Sequence, residues 1–81
     1  MKATVLVRPK AGILDPQGVA VQASLHTLGF AVSGARVGRI VDLELDATDA
    51  AEARAEVERM CAELLANPLI ESVEIHVVQG E

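Results

Sequence analysis

The chain has 81 residues, of which 51% are hydrophobic, 23% are charged and one, Phe30, is aromatic; that is one small globular domain, 1–81, and surface scaling leaves such a domain marginal as a solitary monomer. Seven Lys and Arg against twelve Asp and Glu give a net charge of −5 and a pI near 4.9, which excludes the basic footprint that nucleic acid and anionic membrane require. Behind Lys2 the run Ala3–Val7 is too short for a signal-peptide core or a membrane span, and the single cysteine, Cys61, allows no intrachain disulfide, so the expectation is a cytoplasmic homo-oligomer, dimer or tetramer.

Periodicity then gives five elements and no linker or internal repeat. Lys2 to Arg8 alternates as a strand with Ala3, Val5 and Val7 on one face, closed by Pro9. A helix start follows: Asp15 suits the N-cap, Pro16 the first helical position, and Leu14 can staple onto Val19. This helix runs to about Leu28 with Val21, Leu25 and Leu28 as its buried stripe, and Gly29 is placed for a left-handed C-cap.

After Ser33-Gly34, the stretch Val37 to Asp46 reads as one long middle strand, because Gly38 marks a bend and no hairpin turn divides it. Its far half is expected to overhang the sheet and offer free backbone groups to another chain. A second helix starts near Thr48 or Asp49 and continues to Ala66, with Ala50, Ala53, Val57, Met60 and Leu64 as its stripe, widened by Cys61 and Leu65. Asn67-Pro68 stops it, and Ile70 to Val78 forms the last strand. The fold class is α+β: a β-α-β-α-β chain with two helices on one face of an open, mainly antiparallel sheet, completed by oligomerisation. On the opposite face the same parity places Leu6, Ile40 and Val78 among charges, which makes them the candidate self-association residues.

Little in the chain points to chemistry. Cys61 falls on an apolar stripe and reads as an inert core thiol. His26 and His76 lie on different elements without metal-ligand spacing, and the glycines make no phosphate-binding motif. Asp42, Glu44 and Asp46 share one strand face, as a solvated face also would. No catalytic, metal or cofactor residue is expected. Two features exceed background: Gln17 and Gly18 in the exposed first turn after Asp15-Pro16, and Arg39, whose parity matches core-facing Val41 and Leu43.

These residues also carry a family resemblance. Ile13-Leu14-Asp15-Pro16-Gln17-Gly18, Leu25-His26-Thr27-Leu28-Gly29-Phe30, Val37-Gly38-Arg39 and Cys61-Ala62-Glu63-Leu64-Leu65-Ala66-Asn67-Pro68-Leu69-Ile70-Glu71 resemble the PurS family, the small subunits of phosphoribosylformylglycinamidine synthase, over nearly the whole chain. Arg39 stands where the family usually has Lys, and Val73 near a usual aromatic. The resemblance implies a noncatalytic subunit in purine biosynthesis that joins a glutaminase (PurQ-type) to a synthetase (PurL-type). The complex converts formylglycinamide ribonucleotide, glutamine and ATP into formylglycinamidine ribonucleotide, glutamate, ADP and phosphate. It also implies that ATP and Mg are bound by the synthetase, with no cofactor on this subunit. Asp15, Pro16, Gln17, Gly18, Gly38, Arg39, Asn67 and Pro68 match the family at the positions expected to meet partners. The alternative is a small-molecule-sensing domain of the amino-acid-binding regulatory type, which needs a hairpin between its second and third strands and a glycine loop after the first.

Overall fold

The alternation of Ala3, Val5 and Val7 produces the strand around which the rest is arranged. In the computed structural model, which describes residues 1–79, the elements are β1 (Lys2–Pro9), α1 (Pro16–Thr27), β2 (Arg39–Glu44), α2 (Ala50–Met60) and β3 (Glu71–Val78), with a π-helical turn at Cys61–Leu65 extending α2. β1 lies between β2 and β3 and is antiparallel to both, with Val5 opposite Val41 on one side and Ile75 on the other. The β-α-β-α-β order and the antiparallel sheet are as expected.

β2, the middle strand in chain order, is shorter than the expected Val37–Asp46. At its end Leu45 still pairs with Met1, through N–H to O of 2.8 Å and the reciprocal amine contact of 3.2 Å. At its start the Val37 N–H is taken by the Asp15 carboxylate, 2.8 Å away, and is lost to the sheet. The expected overhang is therefore reduced: the Val37 N–H and both backbone groups of Leu45 are satisfied within the chain, while β2 remains the edge of the sheet.

α2 packs on β3 and β1. Ala53, Val57 and Cys61 lie at successive four-residue steps and are buried with Ala3, Val5 and Val7; burying a side chain such as Val57 contributes roughly 2 kcal/mol. The stripe is rotated from the expected one: Ala50 is exposed, Met60 half-buried and Leu64 83% exposed. The π-helical turn explains Leu64, because the Ala66 N–H bonds to the Cys61 carbonyl (3.1 Å), adding a residue to that turn and bringing Leu65 onto the core instead. Burial, with Glu58 nearby, pushes the Cys61 thiol up, in keeping with an inert core cysteine.

α1 forms as the sequence predicts at both ends. Asp15 caps it by accepting from the Gly18 N–H, Pro16 opens it, and Gly29 (φ +96°) closes it. There the Gly29 N–H reaches the His26 carbonyl and the Phe30 N–H the Leu25 carbonyl, both at 3.0 Å. Its packing differs from expectation. Gly18 is the only buried α1 residue, Val21 and Leu28 are 41% and 71% exposed, and no α1 residue belongs to the core cluster. The helix lies instead beside its own returning chain: Gln22 and His26 side chains both bond the Val32 carbonyl, at 3.3 and 2.6 Å. A Cβ on Gly18 would collide with the Ala35 carbonyl oxygen. Helix and return strap thus make an arm, 16–37, rooted at Asp15.

Candidate functional site

The root of that arm meets the end of the sheet, and most of the singled-out residues converge there. Asp15 holds two segments at once, accepting from Gly18 N–H with Oδ1 (3.0 Å) and from Val37 N–H with Oδ2, with the Arg36 Nε 4.0 Å away. Gly38 permits the next close approach, since a Cβ there would strike the Val7 carbonyl oxygen of β1.

Arg39 follows, opposite Val7, the last core residue of β1, and is itself exposed at the end of the core. Its guanidinium spans β1 to reach β3, donating from Nη1 to Glu71 Oε2 (2.8 Å) and from Nη2 to Glu71 Oε1 (3.2 Å) and the Leu65 carbonyl (2.6 Å). Glu71 Oε1 also accepts the Asn67 N–H at 2.7 Å, and Asn67 Oδ1 accepts the Leu69 N–H, so the Asn67-Pro68 turn is fixed to Arg39 through one carboxylate. Asp15, Pro16, Gln17, Gly38 and Arg39 line a cleft of about 230 Å³ floored by Val7 and closed by Glu71. Gly18 supports it from behind the cap, and Asn67 and Pro68 stand beside it.

Sequence reasoning missed Glu71. The available signal was Arg39 itself: a cation at core parity requires an anion at core parity on a neighbouring element, although the register that selects Glu71 is not local. The outward residues gather less completely. Leu6 and Ile40 are neighbours across β1 and β2, whereas Val78 pairs with Lys2, about 13 Å further along β1. Between them lie Thr4, hydrogen-bonded to Asp42 (3.0 Å), and His76, which with Arg8 meets the Glu74 carboxylate beside Leu6. His26 and His76 do not meet, and among the described residues no three His, Cys, Asp or Glu side chains converge as metal ligands would. β2 leads into α2, without the hairpin that the sensing alternative needs.

The charges in the cleft are structural. The Val37 and Gly18 N–H groups hold the Asp15 carboxyl below its ordinary value of 3.8, and the Arg39 guanidinium, with the Asn67 N–H, holds Glu71 below 4.5. On the outward face His76 and then Arg8 do the same for Glu74. Each is already engaged, so none is a poised general base. The folded state binds these protons less tightly than the unfolded chain, so their stabilisation is complete above the ordinary values and is lost as pH falls through the lowered ones. Urea midpoints are therefore expected to be level from pH 7 to about pH 5 and to fall below it. The fall should be shallower in Glu71→Gln; equal slopes in the two proteins would show that the Arg39 pair does not contribute.

The PurS family profile, described as phosphoribosylformylglycinamidine (FGAM) synthase, matches residues 2–79. The chain is 39% identical over 81 residues to the phosphoribosylformylglycinamidine synthase subunit PurS of Methanocaldococcus jannaschii, covering 99% of this chain and 98% of that one. The crystal structure from that organism superposes with a TM-score of 0.87 over 99% of this chain and 98% of that chain, at 38% identity; it is described as one of the subunits of formylglycinamide ribonucleotide amidotransferase in the purine biosynthetic pathway. A chain of the Thermotoga maritima PurLQS structure superposes with a TM-score of 0.85 at 29% identity, covering 95% of each.

Proposed function

Because the chain belongs to the PurS family of phosphoribosylformylglycinamidine synthase subunits, we propose that it is the noncatalytic connector of that complex, joining a PurL-type synthetase to a PurQ-type glutaminase in the cytoplasm. ATP and Mg are handled by the synthetase and the glutamine-attacking nucleophile belongs to the glutaminase. Ammonia released at one site must reach a distant electrophile without being protonated in bulk water, which requires docked, water-excluding subunits. A small rigid oligomer, dimer or tetramer, can hold them in register, with Leu6, Ile40 and Val78 on the outward face serving contacts between copies. Among the described residues no helix is long and apolar enough to cross a membrane.

The observation that carries the docking role is the cleft, where Asp15, Pro16, Gln17, Gly38 and Arg39 converge from separate parts of the chain. Asp15 and Arg39 are consumed by internal bonds, which leaves exposed Gln17 to face a partner. Gln17→Arg is expected to leave the melting temperature unchanged and to weaken binding to the partner subunits by about tenfold or more, as loss of a central interface contact does. Size-exclusion chromatography of the mixed subunits reads the result, and unaltered co-elution at every concentration would remove the cleft from the interface.

A further inference from the structure

Charge is divided unevenly along the chain. From Arg8 to Val41 four cations, Arg8, Lys10, Arg36 and Arg39, stand against a single acid, Asp15, whereas the remaining residues hold three cations and eleven acids. Because β1 and β2 run antiparallel, the end of one and the start of the other bring those four cations to the cleft's end of the sheet. The other half of β2 carries Asp42 and Glu44 and leads to Asp46 and Asp49. The sheet is therefore polarised along its length, which orients a charged partner before contact.

The carboxylates nearby do not match all of this charge. Glu71 pairs with Arg39, and Glu74 is shared by Arg8 and His76. Both oxygens of Asp15 already accept backbone N–H groups, and the Arg36 Nε stays 4.0 Å from the nearer one. Arg36 donates instead to the Lys10 carbonyl at 2.9 Å, and among the described residues the Lys10 ammonium makes no hydrogen bond or ion pair. Arg8 and Arg36, with side chains 59% and 45% exposed, line a depression of about 470 Å³. It shares Val7, Pro9, Gly38 and Arg39 with the cleft, so one extended segment can lie across both. We infer that the depression takes an acidic segment of a partner subunit, whose carboxylates meet Arg36, Lys10 and Arg8 while its neighbouring residues occupy the cleft beside Gln17. This rests on the docking role of the cleft and adds the charge of what docks there. On a chain of net charge −5 an acidic partner is drawn to this end and repelled by the rest. Half-exposed guanidinium groups around an open hollow suit carboxylates carried on a chain; they do not form the cradle of backbone N–H groups that holds a phosphate.

The test measures binding of the full chain to the partner subunits at about 50 mM and about 500 mM salt. Arg36→Gln with Lys10→Gln is expected to weaken binding about tenfold at the lower salt and less than about twofold at the higher, because the attraction lost is one that salt screens. Arg36→Lys keeps the charge and should keep most of the affinity. Arg54→Gln with Arg59→Gln removes as much charge from α2 and should bind as the wild type does. Gln17→Arg reports on the cleft alone: its weaker binding should fall with salt at least as steeply as the wild type's. A loss in Gln17→Arg with none in the Lys10 and Arg36 variant leaves the cleft's role standing and overturns this inference. An equal loss in the α2 variant overturns it as well, since the effect would then belong to net charge. So does a changed mass of the free Lys10 and Arg36 variant in light scattering, which would assign these cations to contacts between copies.

Discussion

Gly38→Ala is expected to lower the unfolding free energy by about 3 kcal/mol, the upper range for an overpacked interior, read as a shift of the urea midpoint at unchanged slope. The added Cβ meets the Val7 carbonyl oxygen first, then the Val7 carbonyl carbon and the Arg8 Cα, at 3.3 and 3.4 Å. All three are backbone atoms of the central strand, so no side chain can swing aside. The lead-in to β2 must lift, and Arg39, the next residue, would lose its register with Glu71 2.8 Å away. Stability and cleft geometry should fail together. Gly34→Ala is the matched control: nothing lies within 4 Å of its Cβ, and its φ is not positive, so it should be neutral or stabilise by up to about 0.5 kcal/mol. Equal midpoints for the two variants would mean that β1 and the Gly38 segment are not in contact in solution.

What could be read from the sequence was local. The β1 alternation, the Asp15-Pro16 helix start, the Asp49 cap of α2 and the Gly29 closure depend on neighbours within four residues, and each stands where expected. The α1 stripe shows why the rest was hidden: period 3.6 says that Val21, Leu25 and Leu28 share a face, but not which surface covers it. Leu64 was misplaced because nothing local announces a π-helical turn. The Arg39–Glu71 pair needs the β2-β1-β3 order and its register, both set by contacts far apart in sequence. The cleft was half legible for the same reason: the runs at Asp15–Gly18, Gly38–Arg39 and Asn67–Pro68 stood out singly, and only the antiparallel topology brings them to one end.

Asp15→Ala is expected to act on the arm more than on the core. The carboxylate is the only acceptor shown for the Gly18 and Val37 side of the root, at 3.0 and 2.8 Å, and Ala leaves both N–H groups without it. Losing an N-cap together with a second tie should lower the melting temperature by about 5–10 °C in a domain of this size. Asp15→Asn should fall between, because one amide oxygen can still cap α1 but cannot also serve Val37. The site of the damage separates this from general destabilisation. Asp15 is not among the residues of the core cluster, in which Ala3 and Val5 of β1 lie with Val57 of α2, so amide exchange should accelerate across 16–37 well before it does in β1. Because Asp15 titrates below its ordinary value in the folded chain, the alanine variant should show the smaller loss of stability on acidification, the two proteins converging as pH falls through that lowered value. An Asp15→Ala protein that melts with the wild type and keeps its arm amides protected would mean that the Gly18–Ala35 approach alone holds the root.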